Sequence, residues 1–179
     1  DTLVRRELAS SEYNIRRAQC EAGVNILRMH DPSVRSLRDA TLDLLGEHRS
    51  EFDPVVYRRC DYVVRENIRV GEACAALVRN DFAVFGGLMN LSHAGLRDDY
   101  EVSSVELDAL VEAARRVPGV FGARMMGAGF GGCTISLVEA DAVPEFEARV
   151  GREYEAEFGR APKIHVIRIE VGTHAVEGV

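Results

Sequence analysis

Apolar residues recur at helical spacing through the first two thirds of the chain. Residues 11–29 are helix-like, although their period is weak, and the sequence HDPS at 30–33 interrupts them. Asp53 followed by Pro54 predicts an N-cap and the first residue of a long helix, because proline at that position loses no hydrogen bond. We expect this helix to continue to about Arg79.

Two more helices are predicted before the pattern changes. Asp81 can cap a short helix that carries its larger apolar residues on one side, namely Phe82, Phe85, Leu88 and Met89. Ser103 and Glu106 form a capping box ahead of apolar residues at helical spacing, and Pro118 with Gly119 ends that run. The second of these helices has the clearest start and stop signals in the chain.

The period shortens to that of β-strands after Gly119. Residues 120–126 and 133–138 are predicted to be strands, and the second alternates apolar with hydroxyl-bearing residues. A closing strand, IHVIRIEV, is predicted at 164–171, after a last helix with the apolar residues Val143, Phe146, Val150 and Phe158. This order of elements predicts an α+β fold, with helices packed on one face of a mostly antiparallel sheet.

Composition limits the possible partners. The chain has 179 residues, of which 46% are hydrophobic, so one sizeable core is expected. Its net charge of -7 argues against a general affinity for nucleic acids, because binding phosphates requires a basic surface. No apolar run approaches the roughly 18 residues of a membrane span, and the start of the chain lacks the layout of a signal peptide. We therefore expect neither nucleic acid nor membrane as a partner.

The cysteines and histidines do not predict a metal site. The four cysteines lie far apart without C-x-x-C spacing, so neither a zinc site nor a disulfide framework is expected. His165 and His174 are isolated in the sequence. A reducing cytoplasm fits this cysteine usage best. The chain also lacks an initiator methionine, which is consistent with a fragment of a longer protein.

Four glycines lie within six residues in the sequence MMGAGFGGC at 125–133. The pattern matches a dinucleotide-binding loop, but that loop precedes a helix, whereas a strand is predicted to follow here. A protein-kinase loop or a Walker A loop needs a nearby lysine, and the only lysine in the chain is Lys163. Two interpretations remain open: a tight hairpin whose glycines permit positive φ, or a loop whose backbone approaches a ligand.

Four segments of the chain resemble one enzyme family. SHAGLRDDYEVSSVELDALVEAA at 92–114 and GVFGARMMGAGFGGCTISLV at 119–138 resemble the C-terminal portion of galactokinases, which are members of the GHMP small-molecule kinase superfamily. RRELASSEYNIRRAQCE at 5–21 resembles the segment that crosses between the two domains of those enzymes, and VVRENIRV at 63–70 resembles their helical connector. The resemblance covers nearly the whole chain in the expected order.

The resemblance implies an ATP-dependent kinase that transfers the γ-phosphoryl group to the anomeric hydroxyl of galactose, with Mg²⁺ as cofactor. Residues 1–30 would be the inter-domain crossing segment with the first helix, and residues 31–179 the C-terminal domain. The family's Gly/Ser-rich phosphate loop, its sugar-recognition motif and its reactive Asp have no counterpart in the sequence, and GEH at 46–48 lacks the flanks of that motif. We therefore expect the N-terminal catalytic domain to lie outside the chain, the 179 residues alone to be inactive, and the complete enzyme to be a monomer.

The same resemblance assigns the site residues. Tyr13 matches the tyrosine that contacts the sugar in galactokinases, although a half-buried structural tyrosine is the alternative. The third superfamily motif, which lies against the phosphates and the substrate cleft, is matched by Gly127, Ala128, Gly129, Phe130, Gly131 and Gly132. Met126 and Ala128 depart from the family, where threonine and glycine are common. Neither a catalytic residue nor a metal ligand is assigned in this chain.

Two alternatives to a galactokinase remain open. The first is a non-catalytic sugar-binding or regulatory module, and the second is a GHMP kinase for a related sugar such as N-acetylgalactosamine or arabinose. Ser92 and His93 could be drawn as a catalytic set together with Asp98 and Asp99. No nucleophile elbow surrounds Ser92, however, so helix capping or turn formation is favoured. The basic pairs at 16–17 and 58–59 are interpreted as solvated helix faces.

Overall fold

Six α-helices and two β-strands make up the part of the chain that the computed structural model describes, residues 1–4 and 9–167. The elements follow in the order α1 (Ala9–His30), α2 (Leu42–Glu47), α3 (Pro54–Val78), α4 (Phe82–Asp98), α5 (Val105–Arg115), β1 (Val120–Met125), β2 (Thr134–Val138) and α6 (Val143–Phe158). Short 3₁₀ turns lie at Arg49–Glu51 and Ala140–Ala142. The predicted α+β class is confirmed. Among these helices, none is both long and apolar enough to cross a membrane.

Side-chain caps fix the starts of α3 and α4. Asp53 accepts backbone N–H groups of the first turn of α3, and Pro54 is the first helical residue, as predicted. Asp81 accepts the N–H of Val84 at the start of α4. That helix is longer than predicted, since it continues for 17 residues.

The start of α5 differs from the prediction by one residue. Ser104 is the N-cap, and its hydroxyl accepts the N–H of Leu107 at 3.3 Å. Ser103 instead donates its hydroxyl to Asp108 at 2.5 Å. The predicted capping box of Ser103 with Glu106 is therefore wrong, because the amide that needs a cap lies within reach of Ser104.

The two strands form an antiparallel hairpin around the glycine-rich loop. Met125 pairs with Thr134 next to the loop, and the register shifts near the other end of β1. The described part of the predicted closing strand, residues 164–167, is not a strand. The rest of that prediction, residues 168–171, lies outside the described residues.

Helix α4 lies on β1 through backbone contacts. A Cβ atom on Gly86 would lie 2.1 Å from the carbonyl oxygen of Phe121, and one on Gly122 would lie 2.1 Å from the carbonyl oxygen of Gly86. Only glycine permits backbones to approach so closely. The helix is therefore fixed directly against the strand that leads into the loop.

Side chains of α4 also occupy one edge of β1. Asn90 accepts the N–H of Ala123 at 3.0 Å, and Nδ1 of His93 accepts the N–H of Met125 at 3.3 Å. These two N–H groups of β1 thus donate to side chains of α4. A helix, and not a further strand, thus satisfies that edge of β1.

Three apolar clusters hold the elements together. The first joins α1, α2 and α3, with Leu27, Leu45 and Cys60 fully buried. The second joins α5 and α6 to β1. The third lies under the glycine-rich loop and contains Tyr62, Leu96, Val102, Leu107 and Met125, with Phe130 packed against it. The loop is therefore supported from below by the core.

Candidate functional site

Tyr13 and the start of the glycine-rich loop line the same cavity. The cavity has a volume of about 950 Å³, and its walls come from α1, from residues 35–38 and from Gly127 with Ala128. The side chain of Tyr13 is 53% exposed, and no described residue forms a hydrogen bond with its hydroxyl. Two residues that are 114 positions apart, Tyr13 and Gly127, thus face one concave space.

The cavity wall is basic although the chain as a whole is acidic. Five arginines line it, at positions 16, 17, 28, 35 and 38, against a single glutamate, Glu21. Glu21 is itself bound by Arg17, whose Nε lies 2.8 Å from the carboxylate. Such a wall favours an anionic ligand, because positive charges within a concave surface attract and concentrate anions.

The glycine-rich loop has an unusual backbone. Five of its residues have positive φ: Gly127 at 77°, Gly129 at 86°, Phe130 at 60°, Gly131 at 122° and Gly132 at 88°. Side-chain-bearing residues rarely adopt this conformation, so the glycines are required by the shape of the loop. The positive φ values agree with the first sequence-based interpretation, a tight hairpin, and the second, a loop whose backbone approaches a ligand, stays a prediction.

One end of the loop is bound to the protein itself. The N–H of Phe130 donates to the carbonyl oxygen of Val102 at 2.7 Å, and Gly129 lies so close that an added Cβ would be 1.9 Å from that oxygen. Gly132 and Thr2 exchange two hydrogen bonds, with N–H groups donating at 2.8 and 3.1 Å. Of the six predicted loop residues, Gly127 and Ala128 are the two that line the cavity.

Thr2 connects the N-terminal residues to the loop through its hydrogen bonds with Gly132. It is fully buried, and its carbonyl oxygen accepts the hydroxyl of Tyr154 from α6 at 3.0 Å. Because its own N–H and hydroxyl oxygen bind Gly132, Thr2 connects the loop to the helix layer. The loop geometry is thus set by contacts from both ends of the described chain.

Two arginines that were predicted to be solvated are buried. Arg16 donates to the carbonyl oxygens of Tyr100 and Glu101, both at 2.8 Å, and is 8% exposed. Arg59 is 2% exposed and binds the carbonyl oxygen of Asp99 and the carboxylate of Glu101. The prediction is wrong for these two arginines, because a charged side chain is buried when several carbonyl and carboxylate oxygens surround it.

The buried arginines fix the position of the segment that supports the loop. They hold residues 99–101, which lead directly to Val102, the residue that binds Phe130. The guanidinium of Arg16 also lies 5.9 Å from the ring centroid of Phe130. The hydrogen bond from Arg59, together with its charge and those of neighbouring arginines, lowers the pKa of Glu101. Helix α1, which carries Tyr13, is therefore tied to the glycine-rich loop.

Ser92 and His93 do not form a catalytic set. Both are buried within α4, so the favoured explanation as helix caps or turn residues is also wrong. The hydroxyl of Ser92 donates to Glu66, and Nε2 of His93 lies 3.2 Å from Asp108. Burial acts to raise the pKa of Asp108, but the hydrogen bond from Ser103 and the nearby His93 and Arg97 together outweigh it and lower the pKa. These residues join α4 to α3 and α5.

A known family has this arrangement of helices and glycine-rich hairpin. Residues 73–156, which contain α4, α5, β1, the loop and β2, match the family model described as GHMP kinases C terminal. This stretch, somewhat less than half of the chain, is therefore similar to the C-terminal part of GHMP kinases. The match includes the loop residues Gly127 and Ala128 but not Tyr13, which lies upstream of it.

Nearly the whole chain is similar to galactokinases. A galactokinase of Roseiflexus sp. (strain RS-1) is 44% identical over 176 residues, which are 98% of this chain and 45% of the relative. A galactokinase of Homo sapiens is 49% identical over 151 residues, which are 84% of this chain and 37% of the relative. The chain thus spans less than half the length of these curated relatives.

A solved structure has the same fold. The crystal structure of Lactococcus lactis galactokinase complexed with galactose superposes with a TM-score of 0.82 and 39% sequence identity, covering 90% of this chain and 42% of that one. The predicted resemblance to galactokinases is confirmed. The binding roles of Tyr13 and of the loop are not tested by this likeness and remain predictions.

Proposed function

We propose that this chain supplies the C-terminal half of a galactokinase, an ATP-dependent enzyme that converts galactose to galactose 1-phosphate. The observation that carries the proposal is the shared cavity. Tyr13, which is predicted to contact the sugar, lines it together with Gly127 and Ala128, which are predicted to lie near the phosphates. The similarity to galactokinases over 98% of the chain supports the same assignment.

Each group in the cavity has a role in this proposal. The hydroxyl of Tyr13 is a hydrogen-bond partner for a galactose oxygen. The backbone N–H groups of Gly127 and Ala128, neither of which is bound within the described residues, face phosphate oxygens, and the arginine-rich wall adds positive charge. Phosphoryl transfer depends mainly on alignment and on stabilisation of charge, so these contacts position the two substrates and lower the barrier.

The cavity residues suit the phosphates of ATP but not Mg²⁺. A magnesium ion needs carboxylate or phosphate oxygens, and the single carboxylate in the wall, that of Glu21, is held by Arg17. We therefore assign no magnesium ligand to the described residues. The carboxylate that would accept the proton of the sugar hydroxyl is likewise assigned to another part of the enzyme.

The division of the enzyme follows from these assignments. Residues 1–30 cross from the partner half and enter α1, residues 31–179 form the C-terminal domain, and the phosphate loop lies in the half that this chain lacks. The length of the relatives, of which the chain spans about 45%, supports this division. A monomeric enzyme in a reducing cytoplasm fits it, and the four cysteines are free thiols.

The proposal is tested with Tyr13→Phe in the protein at its full natural length. Loss of one hydrogen bond to galactose is expected to raise KM for galactose about 3- to 10-fold, which corresponds to about 0.5–1.5 kcal/mol, with a smaller change in kcat. Tyr57→Phe is the matched control, since Tyr57 packs against Phe52 and does not line the cavity. Unchanged kinetics for Tyr13→Phe would remove the sugar-binding role.

A second assay separates the alternatives. The 179-residue chain alone is expected to show no galactose-dependent release of ADP, because it lacks the phosphate loop. Turnover by the isolated chain would overturn the proposed division. Galactose binding by the full-length protein without any phosphorylation would favour a regulatory module, and faster phosphorylation of N-acetylgalactosamine or arabinose would change the assigned sugar.

A further inference from the structure

Two histidines and a glutamate converge at the end of α1. His30 is the last residue of α1, His48 follows α2, and Glu51 ends the 3₁₀ turn that begins at Arg49. The ligand atoms of the three side chains lie within 4.8 Å of one another. None of the three lines the cavity, so the cluster is separate from the proposed sugar site.

Glu51 bridges the two imidazoles. Its carboxylate oxygens lie 2.8 Å from Nε2 of His30 and 2.9 Å from Nδ1 of His48. The rings are stacked, with centroids 3.5 Å apart and planes inclined by 12°. Hydrogen bonds from His30 and then from His48 lower the pKa of Glu51.

The stacking holds a ring nitrogen of each histidine beside the carboxylate of Glu51. An unprotonated imidazole nitrogen is the atom with which histidine binds metal ions. A divalent cation can take the place of the protons that these groups share with Glu51.

The donor set and its spacing suit a borderline divalent metal. Two imidazole nitrogens and one carboxylate oxygen favour Zn²⁺ or Co²⁺ over Mg²⁺ or Ca²⁺, which prefer oxygen ligands. At metal–ligand distances of about 2.1 Å, tetrahedral ligands are roughly 3.4 Å apart. The side chains of His30, His48 and Glu51 are 31%, 22% and 40% exposed, which leaves room for the small rotations needed and for a water ligand.

We propose that His30, His48 and Glu51 form a binding site for one zinc-class divalent cation. A metal at this position joins the end of α1 to the 3₁₀ turn and closes the chain between residues 30 and 51. The closed stretch carries Arg35 and Arg38, which line the cavity. Metal binding is therefore expected to restrict the motion of this part of the cavity wall.

The test is a titration of the metal-free, untagged protein at its full natural length with Co²⁺, followed by competition with Zn²⁺. We expect His30→Ala and Glu51→Gln each to lose one bound Co²⁺ with nitrogen and oxygen ligands, or to bind it at least tenfold more weakly. His165→Ala is the matched control, because His165 is exposed and lies outside the cluster. It is expected to bind as the wild type does.

A second measurement, of thermal stability, does not depend on the absorption spectrum of bound Co²⁺. Zn²⁺ is expected to raise the Tm of the wild type and of His165→Ala more than that of His30→Ala, because only a site that is formed in the folded state stabilises that state. Equal Co²⁺ binding by wild type and His30→Ala would overturn the proposal. So would a thiolate-to-cobalt charge-transfer band that disappears in Cys74→Ser, since Cys74 is an exposed thiol.

Discussion

Replacing Gly129 by alanine tests how the glycine-rich loop keeps its shape. Gly129 has a φ of 86°, and an added Cβ would lie 1.9 Å from the carbonyl oxygen of Val102. The same oxygen accepts the N–H of Phe130 at 2.7 Å, so it cannot move away without lengthening that hydrogen bond. Gly129→Ala therefore combines backbone strain with steric overlap.

We expect Gly129→Ala to lower the free energy of unfolding by about 2–5 kcal/mol. A left-handed backbone costs a residue with a side chain about 1–2 kcal/mol. Overpacking against a fixed neighbour adds about 1–3 kcal/mol. With a urea m value of about 2 kcal/mol per molar, the midpoint of unfolding should fall by roughly 1–2.5 M.

Two other glycines separate the two contributions. Gly159 has a φ of 67° and no neighbour for an added Cβ within 4 Å, so Gly159→Ala should lose only the strain energy of about 1–2 kcal/mol. Gly151 lies inside α6 with open space around it, so Gly151→Ala should gain about 0.5–1 kcal/mol.

Urea unfolding followed by far-ultraviolet circular dichroism gives the midpoints of the wild type and the three variants. From most to least stable, the expected order is Gly151→Ala, wild type, Gly159→Ala and Gly129→Ala. A midpoint for Gly129→Ala at or above that of Gly159→Ala would refute the reasoning, because the contact with Val102 would then contribute nothing.

Three further predictions concern the support of the site and its buried groups. Arg16→Met leaves two carbonyl oxygens without donors and should lower the free energy of unfolding by about 2–4 kcal/mol, whereas the exposed Arg17→Met should change it by less than about 0.5 kcal/mol; equal losses in urea unfolding would contradict this. In the folded protein the pKa of the Asp108 carboxyl is below its ordinary value of 3.8. The stability that the ionised carboxylate contributes is therefore complete above pH 3.8 and is lost as the pH falls through the lowered pKa. Thermal unfolding between about pH 5 and pH 2 should therefore show a smaller loss for Asp108→Asn than for wild type, and parallel curves would disprove the coupling. Burial raises the pKa of Cys60 to about 12, so iodoacetamide followed by peptide mass spectrometry should find Cys74 modified first and Cys60 only after unfolding.

Five of the six helices and both strands could be predicted because their signals are local, whereas α2 was not predicted and residues 164–167 of the predicted closing strand are not a strand. Asp53 with Pro54 and Asp81 mark helix starts within one turn, and the change of period after Gly119 marks the hairpin. The N-cap of α5 was misplaced by one residue, because two adjacent serines offer the same hydroxyl and only the geometry decides between them. Local chemistry thus predicts elements better than it predicts their exact ends.

The support of the site could not be predicted, because it depends on contacts between distant residues. The sequence shows that Arg16 and Arg59 are charged, but not that carbonyl oxygens from residues 99–101 surround them. His30 and Glu51 are 21 positions apart, and nothing in their own neighbourhoods indicates that two element ends meet there. The glycine count predicted positive φ in the loop, but not which part of the loop reaches the cavity.

The coverage of β1 by α4 makes the two edges of the hairpin unequal. Because Asn90 and His93 already accept the N–H groups of Ala123 and Met125, no incoming backbone can pair along that side. Any additional strand, whether from this polypeptide or from another molecule, must therefore align beside β2. The sheet can widen in one direction only, and the opposite border is protected against edge-to-edge aggregation.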